Sequence, residues 1–155
     1  MNANGHIIFG SDGQLYRKTQ DGRLFRLDRY DYVLNAIVNP GAAAAPQPLN
    51  NQQLNGDGDY DFELHEIVGS RTSALLTVAM RDGNDAGKLY QNAPVNIDNW
   101  LGTAQLPHVL VPQWWRREFN KTFDFVDSSV AINTVQLVFR GYKLVPVTSI
   151  PLGTQ

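Results

Sequence analysis

Two runs near the C-terminal end of this chain, residues 119–126 and 134–145, constrain its fold most. In the first, Phe119, Phe123 and Phe125 share a face; in the second, Val135, Leu137 and Phe139 do. An apolar residue at every second position marks a strand with one buried face. A polar turn separates the two runs, and a segment with Pro107 and Pro112 that ends in the aromatic pair Trp114-Trp115 precedes them. Helical periodicity is almost absent elsewhere, and Gly, Asp and Asn punctuate the chain densely. Such a sequence can bury its apolar face only by laying one sheet on another.

The same alternation recurs upstream. Tyr60, Phe62 and Leu64 form one face of a run, with Asp61, Glu63 and His65 on the other. Residues 73–81 set Ala74, Leu76, Val78 and Met80 on one side. The run 29–38 is rich in aromatic and β-branched residues and reads as the first strand of the body. Short strands are expected at 88–91 and 95–97, and an edge strand around 49–54. Residues 41–59 are a low-complexity connection, because Gly41 and Pro46 leave the four alanines too short to nucleate a helix. Residues 100–117 read as irregular, since Pro107 and Pro112 exclude a central strand. About eight strands result, and an antiparallel β-sandwich of jelly-roll type is expected. Phe62, Leu64, Leu76, Val78, Phe123, Phe125, Leu137 and Phe139 are the expected core.

The first 28 residues read differently. Ser11-Asp12-Gly13 and Gln20-Asp21-Gly22 flank a short run, the pattern of tight hairpin turns in which Gly accepts positive φ. Residues 1–28 are therefore expected to be an arm, 29–147 the sandwich and 148–155 a tail. Arg17, Lys18, Arg23, Arg26 and Arg29 stand against Asp12, Asp21 and Asp28, a local +2 that leaves −4 for the rest of a chain of net charge −2. A basic arm can dock on an acidic neighbour; a solvated hairpin explains the same residues.

Composition narrows the function classes. A chain of 155 residues suits one domain. Charged residues are 18%, below the usual share of about 25%, and amides and hydroxyls take their place. The slight acidic excess argues against free nucleic-acid binding, which needs a basic stripe. With no cysteine, disulfides and thiolate metal sites are excluded, and assembly in a reducing cytoplasm is the simplest expectation. No apolar run approaches the roughly 20 residues of a membrane span, and no signal peptide is visible.

No constellation for catalysis assembles. Asp57, Asp59 and Asp61 are spaced like the start of a calcium loop, but the sixth and twelfth positions hold Phe62 and Val68 in place of Gly and Glu. His6, His65 and His108 are scattered, with no metal-ligand spacing. There is no nucleophile elbow and no glycine-rich phosphate cradle. Glu63 and Glu66 lie on one strand with mixed facing, poor support for sugar chemistry. No cofactor, metal or enzymatic activity is expected.

Trp114-Trp115-Arg116-Arg117 is the boldest local feature. Adjacent tryptophans on a strand point to opposite sides, so one is expected to face the core and the other outward. Trp and Arg are enriched at interface hot spots, and aromatics beside Arg also suit sugars or single-stranded nucleic acid. The same residues could simply cap the open end of the sandwich.

The order of segments carries a resemblance. RYDYVLNAIVNPG leads to DGDYDFELHEI, then TSALLTVAMRDG, KLYQNAPVNIDNW, LGTAQLPHVLVP and NTVQLVFRGYKLV. Across roughly residues 29–145 this series resembles the small virion proteins of tailed bacteriophages found next to the major capsid protein, described as capsid cement, decoration or minor structural proteins. The resemblance implies a jelly roll, self-association as a dimer or trimer, and attachment to the major capsid protein on the capsid exterior. It carries over no catalytic residue. The expected protein interface comprises Arg17, Arg23, Arg26, Trp114, Trp115, Arg116 and Arg117, with no nucleic-acid or membrane partner. A carbohydrate-binding or host-recognition jelly roll, with the two tryptophans as platform, is the alternative.

Overall fold

The computed structural model describes residues 5–39, 48–73, 75–85, 88–103 and 106–152. Eleven strands appear among them. They are β1 (Gly5–Phe9), β2 (Leu15–Thr19), β3 (Leu24–Val38), β4 (Pro48–Asn55), β5 (Asp61–Arg71), β6 (Leu76–Asp82), β7 (Lys88–Leu89), β8 (Val95–Asn96), β9 (His108–Trp115), β10 (Asn120–Asp127) and β11 (Asn133–Val147). One 3-10 turn, Ile97–Asn99, joins β8 to the segment before β9.

The strands form two antiparallel sheets, ordered β1-β2-β3-β11-β5-β9 and β4-β10-β6-β7, with β8 also pairing β6 in the second. From β3 onward the pairs β3/β11, β4/β10, β5/β9 and β6/β7 are nested. That is the pairing of one long antiparallel hairpin rolled into two layers, the strand order of a jelly roll. β1 and β2 extend the first sheet beyond it.

Period-two alternation builds the core between the layers. Across β3 and β11, Tyr32 faces Phe139, Leu34 faces Leu137 and Ala36 faces Val135. Across β10 and β6, Phe123 faces Met80 and Phe125 faces Val78. All eight residues expected in the core are completely or nearly completely buried, beside a cluster of aromatic rings. Trp115 stacks into this cluster, 4.8 Å from Phe119 and 5.6 Å from Phe139.

Three expectations are corrected. The boundary between an arm and a body at residues 28 and 29 falls inside β3, which pairs with β11 without a break over its whole length. Residues 108–115, read as irregular, form β9. Pro112 is tolerated there because β9 is the edge strand, so one side of its backbone needs no ladder partner. Glu63, read as part of a solvated strand face, is fully buried. The cause is a change of phase in β3. Tyr32, Leu34, Ala36 and Val38 are buried toward the sandwich, whereas Phe25 and Leu27 are buried on the opposite side. The first sheet therefore has cover on its second face at one end, where Phe25, Leu27 and Leu144 pack with Leu15, Trp114 and Tyr142. The alanine run of the low-complexity connection and the last three residues of the tail lie outside the described residues.

Candidate interaction surfaces

The turns of the N-terminal hairpin follow from their glycines. Gly13 and Gly22 have φ of 77° and 85°, a region that side chains with a Cβ rarely enter. The hairpin they create presses β2 onto β3, with Arg17 opposite Phe25. Arg17 consequently points to the second face of the sheet. It is only 4% exposed, and its Nη1 lies 2.7 Å from Oε2 of Glu63 on β5. Glu63 sits between Tyr142 and Trp114 on the neighbouring strands. Its other oxygen lies 2.6 Å from His65 Nε2. The His65 ring meets Tyr142 edge-on at 5.2 Å. Arg17, expected as an exposed interface cation, is instead an internal bolt between the hairpin and β5.

The other expected interface residues separate. Arg23 pairs with Asp21 at 2.8 Å and lies over the Phe25 ring. Arg26 forms a two-pronged bond to Asp28 at 2.6 and 2.7 Å, and that carboxylate holds the guanidinium above its ordinary pKa. Trp114 and Trp115 face opposite sides, as the alternation requires. Trp115 is a core residue and cannot contact a partner. Trp114 is half-buried: its indole N–H donates to Asp61 at 2.8 Å, and its ring meets Phe25 edge-on at 5.7 Å. Arg116 and Arg117 are exposed at the end of β9, and the backbone N–H of Arg117 donates to Asp61 at 2.7 Å. The Trp-Arg segment thus closes one end of the sandwich.

The acidic turn does not converge on a cation. Asp57 accepts from Lys143, and Asp61 is held by Trp114 and Arg117. Burial pushes the Asp57 carboxyl up, but the Lys143 ammonium, the Asp59 backbone N–H and the Tyr32 hydroxyl together hold the group below its ordinary value. Among the described residues no group of three or more His, Cys, Asp or Glu could hold a metal ion. A second internal cluster closes the interior beside Trp115. Lys121, nearly buried, donates to Asp82 and Tyr90 at 2.6 Å each and lies 5.3 Å from the centre of the Trp115 ring.

Sequence reasoning missed the surfaces that remain open. Among the exposed large apolar side chains, three groups are relevant to contact at the rims. Ile7 and Phe9 stand on β1, at one edge of the first sheet; Val109 and Val111 stand on β9, at its other edge. Ile37, Leu75, Val130 and Ile132 cluster where β10 turns into β11. Exposed apolar positions in strands were legible, but which strands lie at an edge was not.

No protein-family model matches the chain, and neither a curated protein nor a solved structure shows significant similarity to it.

Proposed function

We propose that this protein is a non-enzymatic structural component of a phage particle that binds the capsid exterior and strengthens the lattice of the major capsid protein. The observation that supports this reading best is the distribution of exposed apolar residues. One small jelly roll offers contacts at both edges of one sheet and at one end of the sandwich. Isolated apolar residues on a surface need no explanation, but groups at separate edges suit contact with several neighbours. Weak contacts then add through effective concentration once the first is made. The buried positions of Arg17 and Trp115 move the expected contacts away from those residues and onto these rims.

The test is co-sedimentation of the purified protein with shells of the major capsid protein before and after expansion, followed by electron microscopy. Binding to expanded shells in fixed copy number supports the reading, and attachment should survive a chelator. Absence of binding to both shell forms overturns it. Glycan recognition remains the second reading, favoured by a groove of about 340 Å³ on the outer face of the second sheet. Its lining includes Asn50, Gln91, Asn92, Pro94, Asp124 and Val126. Glycan-array binding lost on Asn92→Ala would select it over the lattice role.

A further inference from the structure

Among the described residues five strand edges bound the two sheets, and four of them are blunted. β9 carries Pro112 and a register shift against β5 between Leu64 and Glu66. β4 starts at Pro48, and its pairing with β10 shifts register near Asn51, whose φ is 59°. β7 and β8, which share one side of β6, have only two residues each, one of them Lys88. Prolines, bulges, short length and lysines are the devices by which sheet proteins keep edges from pairing with other chains. β1, Gly5-His6-Ile7-Ile8-Phe9, has none of them. It pairs with β2 in unbroken register, and Ile7 and Phe9 are 53% and 75% exposed.

The orientation of its backbone follows from the turn. Gly10 N–H donates to Gln14 C=O, so even-numbered residues of β1 bond inward to β2. Gly5, Ile7 and Phe9 therefore turn their N–H and C=O groups outward. We propose that a second copy of this chain docks here, β1 against β1, antiparallel about a two-fold axis at Ile7. In that register Ile7 meets its own copy, and Gly5 faces Phe9 of the second copy. All three outward N–H groups and all three outward C=O groups of each chain are satisfied. Gly5 carries no side chain, and a Cβ there would meet the Lys18 carbonyl of β2, so only backbone faces the Phe9 ring, as in the aromatic rescue of an edge glycine. A two-fold axis sets each charge near its own copy, so a self-pairing edge tolerates few charges. β1 contains no Lys, Arg, Asp or Glu. The product is one continuous twelve-stranded sheet, and the contact is isologous, as closed dimers require.

This inference deepens the assembly reading by naming the partner at one rim, and it rests on that reading for its role in a particle. The contact itself is tested on the purified full chain without capsid. The protein has no cysteine, so Ile7→Cys places one thiol at the proposed axis. Facing α-carbons in such a pair are about 5.5 Å apart, within disulfide range. Ile7→Cys should form a covalent dimer under mild oxidant, and Val111→Cys on the β9 edge should not. Ile7→Pro removes only an outward N–H, which an edge strand tolerates. It should leave the melting temperature near that of the unaltered chain and weaken self-association in sedimentation equilibrium by at least about tenfold. Equal cross-linking of both cysteine variants, or unchanged association of a folded Ile7→Pro protein, overturns the proposal. A dimer that forms but leaves shells unbound would sink the capsid reading and keep this one.

Discussion

Removing Arg17 should unfold far more than a surface arginine would. Its guanidinium and the Glu63 carboxylate are 2.7 Å apart, with side chains 5% and 0% exposed. At an effective dielectric of about 20 their attraction is roughly 6 kcal/mol. Desolvation of both ions offsets much of that, so the pair's net contribution is small. Breaking it is another matter, because Glu63 would stay buried with only His65 beside it. That situation costs about 3–5 kcal/mol, and in a domain of this size each kcal/mol lowers the melting temperature by about 2–4 °C. Arg17→Met should therefore lower the melting temperature by roughly 6–20 °C. The double variant Arg17→Met, Glu63→Met should regain most of the loss, since a packed apolar pair replaces a buried ionic one. Urea denaturation of these three proteins and of Glu63→Met gives the coupling energy. Hydrogen exchange should show the β1–β2 amides losing protection in the single variant. A loss under about 1 kcal/mol for Arg17→Met, or a double variant no better than the single one, would refute the reasoning.

Phe123→Ala and Phe139→Ala each empty a fully buried site and should cost about 3–5 kcal/mol by denaturation; unchanged melting would contradict the register of β10 and β11. A chain beginning at Arg29 loses the bolt on Glu63 and a third of β3, so it should be markedly less stable than the whole protein in thermal melts, and an unaltered melting temperature would show that the hairpin is an accessory. Asp82 and Asp124 have carboxyls that burial raises but Lys121 and Arg81, respectively, hold below the ordinary 3.8. Such groups contribute stability in full above about pH 4 and lose it as pH falls through the lowered values. Melting temperature should accordingly drop steeply below pH 4, and the Asp82→Asn, Asp124→Asn variant, weaker at pH 7, should lose less over the same acid range.

The sequence by itself determined the fold class and the main core. Alternating apolar residues leave no freedom about which face of β5, β6, β10 and β11 enters the main core, and Asp-Gly turns at Gly13 and Gly22 specify a hairpin locally. Pro112 likewise predicted that residues near it would not be a central strand, although β9 could still form at an edge. The fate of Glu63 was decided elsewhere. Its neighbours in sequence read as a polar face, but burial there depends on Arg17, Phe25 and Trp114, which come from strands distant in the chain. The same holds for the two tryptophans: alternation says that they point apart, while only the packing of Phe25 and Asp61 shows that Trp114 is also engaged. Which strand keeps an open edge is a property of sheet order, and sheet order is set by long-range pairing. A period of two therefore tells which side of a strand is apolar, and only tertiary structure tells what lies against each side.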